Sequence, residues 1–134
     1  MLKTAAWILG GLLALAVVVF VSQMVASETG EVVVLTTAGP DATPVDTRLW
    51  VLDFDGSQYL RASEGSGWYG RLLAEPAVEL RRGEVSSSYI AVPSPYVRDA
   101  VNDLMLEKYG WRDVYVSWLV GDRDGAIPVR MDVR

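Results

Sequence analysis

The chain has 134 residues, 51% of them hydrophobic, with 17 acidic side chains against 12 basic ones and neither His nor Cys. That length holds one domain, not two. Without Cys, disulfides, thiolate nucleophiles and cysteine metal sites are excluded; without His, so are Ser-His-Asp and Cys-His catalysis and nearly all zinc sites.

Residues 1–27 form the first unit. From Thr4 to Ser27 there is no charged side chain, and Ala5–Val21 is almost continuously apolar. A helix over residues 4–27 is roughly 36 Å long at about 1.5 Å per residue, enough to cross a hydrocarbon core of about 30 Å. Two readings compete. Met1-Leu2-Lys3 and the small residues Val25-Ala26-Ser27 fit the start and cleavage site of a signal peptide. The length of the run favours an uncleaved signal anchor instead, a single-pass membrane segment with the lipid bilayer as its partner. Lys3 lies before the segment and Glu28 and Glu31 after it. Basic flanks stay cytoplasmic, so the domain is expected outside.

Residues 28–134 form the second unit. All 17 acidic residues fall after the apolar run, so this unit is net negative and nucleic-acid binding is disfavoured. Glu28-Thr29-Gly30 is a short linker that holds it against the membrane surface. Glu31–Thr37 is β-branched and reads as a strand, broken by Gly39-Pro40-Asp41. Pro44–Phe54 is apolar on both parities around Leu49–Leu52, as in a strand covered on both faces. Asp55-Gly56 is a tight hairpin signal, and Ser57–Ala62 returns as the partner strand.

Trp68–Ala74 reads as a short helix that must stop before Pro76. Ala77–Arg82 and Glu84–Val92 form a second hairpin about Arg82-Gly83. Ser94-Pro95 opens a helix over Pro95–Tyr109, with Val97, Ala100, Val101, Leu104 and Met105 on one face and Gly110 as its stop. Val114–Val120 reads as a strand, Asp122–Gly125 as a turn, and Ile127–Val133 as the last strand. About seven strands and two helices without a βαβ rhythm indicate a mainly β fold, a small barrel.

The residues left for chemistry are few. Arg48, Arg61, Arg71 and Arg130 are candidate anion binders. Trp50, Tyr59, Trp68, Tyr69, Tyr109, Trp111, Tyr115 and Trp118 are candidate stacking surfaces, although tryptophans in a small barrel are usually core. Ser63-Glu64-Gly65-Ser66-Gly67-Trp68 opens a helix with free N–H groups, a terminus that favours phosphate. Capping alone also explains that composition. Arg48 and Arg61 fall on neighbouring strands, where pairing with Asp53 or Glu64 is the simpler role. The carboxylates have no metal-loop spacing, so no metal site is expected.

Three stretches carry a resemblance: Val32–Gly39 (VVVLTTAG), Arg48-Leu49-Trp50, and Tyr59–Leu80 (YLRASEGSGWYGRLLAEPAVEL). Together with Ile127–Met131 they resemble the deazaflavin-dependent nitroreductases, in the clan of pyridoxamine-phosphate-oxidase-like split barrels. The pattern of Tyr59–Ser63, Trp68-Tyr69 and Lys108-Tyr109-Gly110 is closer to an uncharacterised bacterial branch of that clan. The resemblance implies a split β-barrel that forms a homodimer and binds FMN or a deazaflavin between subunits. By position it puts Ser63, Ser66, Trp68 and Arg71 near the cofactor phosphate, with Arg48 and Trp50 on the adjoining strand; Arg61 flanks the same loop in the sequence. It implies an oxidoreductase acting on a quinone or nitro compound, for which a membrane anchor suits a lipid-soluble quinone. The turn Gly39–Thr43 departs from the basic turn of that family by carrying Asp41. That departure favours the alternative, a non-catalytic binding, structural or accessory module that keeps the fold without cofactor.

Overall fold

A computed structural model describes residues 2–28, 30–120 and 123–134. An N-terminal helix, α1, runs over Leu2–Glu28. Its Leu2–Ser22 portion is long and apolar enough to cross a membrane, and none of it is buried by the rest of the chain.

The remainder is built on an antiparallel sheet, with seven strands among the described residues. They are β1 (Val32–Ala38), β2 (Pro44–Trp50), β3 (Leu52–Phe54), β4 (Ser57–Ala62), β5 (Ala77–Arg82), β6 (Val85–Pro93) and β7 (Ile127–Val133). The order across the sheet is β2-β1-β5-β6-β7-β4-β3. The two edge strands, β2 and β3, are consecutive in the chain and separated by Val51 alone. One residue spans only about 3.5 Å. The sheet must therefore curl until its edges meet, which makes a split barrel.

The expected single strand Pro44–Phe54 is thus two strands. Residues up to Trp50 pair with β1, and residues from Leu52 pair with β4. The apolar residues on both parities reflect this corner. Val51 and Leu49 face the barrel interior, while Leu52 and Trp50 join a second cluster outside it.

The barrel interior is filled by Val33, Leu35, Leu60, Leu80, Val129 and Met131, closed by Trp68, Tyr69 and Leu72. These last three come from α2 (Gly67–Ala74), which ends at an extended Glu75 as Pro76 requires. The outer cluster lies between β3–β4 and α3 (Arg98–Tyr109), through Leu52, Tyr59, Val101, Met105 and Tyr109. β4 is therefore covered on both faces, Leu60 and Ala62 pointing inward and Tyr59 and Arg61 outward. The Asp55-Gly56 hairpin forms as its sequence requires, both residues holding positive φ. Pro95–Val97 is a separate 3-10 turn before α3. Ser94 does not cap it; its hydroxyl donates to the Val92 carbonyl.

Val114–Val120 is not a strand. It belongs to a further helix, α4 (Trp111–Val120), so the described residues hold four α-helices, three of them after α1 rather than the two expected. Gly110, with φ of 56°, ends α3, and its carbonyl then accepts from the N–H groups of Asp113 and Val114 to start α4. A β-branched, aromatic run has strand propensity, but burial decides. Asp113 is drawn beneath the helix by Arg61, and a strand would have no sheet edge there to join. The expected turn at Asp122–Gly125 lies partly outside the described residues; Arg123–Gly125 is a 3-10 turn.

Candidate functional site

Side chains on a helix lean toward its N-terminus. On α2 this carries the Arg71 guanidinium back over Gly67, where a Cβ would lie 3.0 Å from Nη1. Gly67 leaves the room that this approach needs. Arg71 Nε donates to Thr37 Oγ1 at 2.8 Å, and Nη2 reaches Thr47 Oγ1 at 3.5 Å. Thr37 is buried and in turn donates to the Val45 carbonyl. A half-buried cation is therefore held by two hydroxyls, beside a helix start.

At that start, Ser66 does not cap α2. Its hydroxyl donates to the Ser63 carbonyl at 2.7 Å, and its N–H donates to the same oxygen at 3.0 Å. The loop is tightened by its own serines, while the first-turn N–H groups point along the helix axis without an intrahelical acceptor. Positive charge, a helix N-terminus and the Thr47 hydroxyl, which accepts from Arg71 and keeps its own proton, are the components of an anion cradle. Glu64 in the loop is exposed.

The other predicted residues do not converge on this cradle. Trp68 is in the barrel core. Arg48 and Trp50 alternate with Thr47 along β2, so they face away from Arg71. Trp50 stacks on Tyr109 with ring centroids 4.4 Å apart and planes 9° from parallel. Arg48 is exposed. Arg61, on the outer face of β4, is almost fully buried and ion-paired with Asp113 of α4, also reaching Asn102 of α3 at 3.3 Å. Its partner is neither Asp53 nor Glu64. Arg130 is tied to Asp132 and donates to the Tyr96 hydroxyl.

Tyr109, a candidate stacking surface, does stack on Trp50, but two features were missed in the sequence. The first is the bonding of the Tyr109 hydroxyl. This oxygen accepts from Val51 N at 3.0 Å and lies 2.7 Å from the Val51 carbonyl and 2.9 Å from that of Glu31. Val51, the corner residue outside both edge strands, thereby regains the partners the ladder denies it. Burial pushes the phenol up to about 12. The second is a cluster about Arg82. Its guanidinium binds Glu31 through Nε at 2.8 Å and Asp53 through Nη1 at 2.7 Å, while Lys108 Nζ lies 2.6 Å from Glu31. These bonds to Arg82 hold both carboxyls below their ordinary values. Arg82, Asp53, Gln58, Ser87 and Tyr89 line an open cleft of about 370 Å³. With two carboxylates on it, Arg82 brings no net positive charge to that cleft, so the Arg71 cradle is the better anion site. Charged residues far apart in sequence carry no periodic signal, which is why this cluster was not legible.

No family model matches the chain, and no curated protein does. Solved structures do. An F420-H2-dependent reductase superposes with a TM-score of 0.59 at 21% identity, covering 75% of this chain and 93% of that one. The haem-storage protein HutZ of Vibrio cholerae gives 0.60 at 13% identity, over 81% and 85%. A structure described as a domain-swapped dimer gives 0.58 at 21% identity, over 75% and 79%. At these identities the likeness is one of fold, and the fold is the split barrel that these structures share.

Proposed function

We propose that this chain is a membrane-tethered split barrel that binds a phosphate-bearing cofactor, FMN or a deazaflavin, with the phosphate on Arg71, Thr47 and the start of α2, and with Thr37 holding Arg71 in place. The observation that carries this is the Arg71 cradle, at the position where the family resemblance put a phosphate. The phosphate end fits the residues present. The ring end finds less in one chain, because Trp68 is core and Trp50 is already stacked. A second copy would complete that end, as in a homodimer. When bound, such a cofactor supplies hydride chemistry. The chain's own residues supply charge and position, and the tether favours a lipid-soluble quinone over a nitro compound as acceptor. Residues 1–27 are the anchor and 28–134 the domain, which Lys3 and the acids after the span put on the extracytoplasmic side.

Haem, suggested by one structural relative, is disfavoured because His and Cys, its commonest axial ligands, are both lacking. The second reading is a non-catalytic module. It is favoured by Asp41 in the β1–β2 turn and by the consumption of Arg61 in an internal ion pair. One experiment separates the two. The full chain in detergent is melted with and without FMN and deazaflavin, beside Arg71→Ala. Cofactor binding raises the midpoint in the parent and not in Arg71→Ala. A colourless protein indifferent to both cofactors sinks the cofactor reading and leaves the module.

A further inference from the structure

The face of α4 that turns away from the barrel is apolar and is left exposed by the described residues. Asp113 points beneath the helix to Arg61. Between about 100° and 160° round the helix from Asp113, Trp111 is 55% exposed, Val114 57% and Trp118 78%. At about 100° per residue, these three fall within a stripe some 60° wide. The Arg112 guanidinium lies 4.9 Å from the centre of the Trp111 ring, a cation beside the apolar stripe.

The helix is also joined to α1. Tyr115, adjacent to the stripe, donates its hydroxyl to the Val19 carbonyl at 3.3 Å. Val19 lies near the C-terminal end of the apolar span, which runs to Ser22 among the described residues. Helices that lie in a membrane interface bury their apolar face about 5–10 Å into it. Trp and Tyr are the side chains enriched at that level.

We infer that α4 is an interfacial helix, seated through Trp111, Val114 and Trp118 in the same leaflet that α1 exits. The occupant of this face is lipid, because α4 is joined to α1 near the end of the apolar span and carries its exposed tryptophans beside that junction. Arg61 and Asp113 then transmit the seating to the barrel, since they bind α4 to β4. The inference rests on the reading of α1 as a membrane span.

The test uses the full chain in phosphatidylcholine vesicles, with and without bromine on the upper acyl chain. Trp7→Phe removes the tryptophan of α1. Flotation with the vesicles reports the anchor, and bromolipid quenching reports α4. The expected result is that Trp7→Phe floats and is quenched, and that adding Trp111→Phe and Trp118→Phe abolishes most of the quenching without affecting flotation. Both added sites are exposed, so the fold is retained. A chain that floats but is not quenched overturns the inference and leaves the anchor standing. Loss of dimer in the triple variant, with quenching absent from the start, assigns the face to a second copy and also overturns it. A chain that does not float overturns the anchor and this inference together.

Discussion

Tyr109→Phe isolates one oxygen at the corner that closes the barrel. The ring remains, with its stack on Trp50 and its contact with Gly30. The hydroxyl that satisfies Val51 is lost. Val51 is fully buried, and its carbonyl keeps Lys108 Nζ at 2.7 Å. Its N–H loses the Tyr109 oxygen at 3.0 Å. A buried donor left without an acceptor costs about 1–3 kcal/mol. Taking about 2 kcal/mol, the melting midpoint of a domain this size falls by roughly 10 °C. Lys108→Met at the same carbonyl is expected to cost less than about 1 kcal/mol, because its ammonium is partly exposed and Tyr109 remains. Urea unfolding of the full chain in mild detergent, followed by tryptophan emission, measures both. A Tyr109→Phe midpoint within about 0.5 kcal/mol of the parent refutes the reasoning, because it means that the β2–β3 corner is satisfied without the phenol.

Arg61 and Asp113 are only 4% and 7% exposed at their side chains, so removing either alone strands a buried charge and costs about 3–5 kcal/mol. Replacing both with Leu is expected to restore much of that loss, which the urea midpoints of the two single variants and the double variant will show. Gly30→Ala places a Cβ 2.6 Å from the Tyr109 ring and 3.2 Å from Trp50 Nε1, and is expected to cost about 1–3 kcal/mol by overpacking, read in the same assay. Glu31 and Asp53 have folded pKa values below 4.5 and 3.8, so their contribution is complete above those ordinary values and is lost as pH falls through the lowered ones. Stability measured from pH 6 down to pH 2 is therefore expected to decline in acid, and the decline should be shallower in Arg82→Gln.

Local chemistry determined much of this protein by itself. The uncharged run after Lys3 dictates α1, because no proline or charged residue interrupts it from Thr4 to Ser27. Asp55-Gly56 dictates a hairpin through its positive φ, and Pro76 ends α2 through steric clash. The alternation of Val33, Leu35 and Thr37 selects the buried face of β1. The Ser63–Gly67 loop announced a helix start, and Arg71 behind it is the cationic part of the cradle.

Tertiary structure decided the rest. Pro44–Phe54 reads locally as one strand, and only closure of the sheet upon itself requires a break at Val51. Trp111–Val120 has strand propensity, yet the spacing of Trp111, Val114, Tyr115 and Trp118 is helical and was the one available clue. Which period prevails depends on Arg61, fifty-two residues from Asp113, and on α1 nearby. The seven candidate site residues were legible as residue types, but their convergence was not. Ser63, Ser66 and Arg71 meet at α2, while Arg48 and Trp50 fall on the other face of β2, Trp68 enters the core and Arg61 is consumed by Asp113. A strand's alternation is local, but which side faces a helix or a cavity is set by partners distant in sequence, and their contacts leave no periodic trace in the chain.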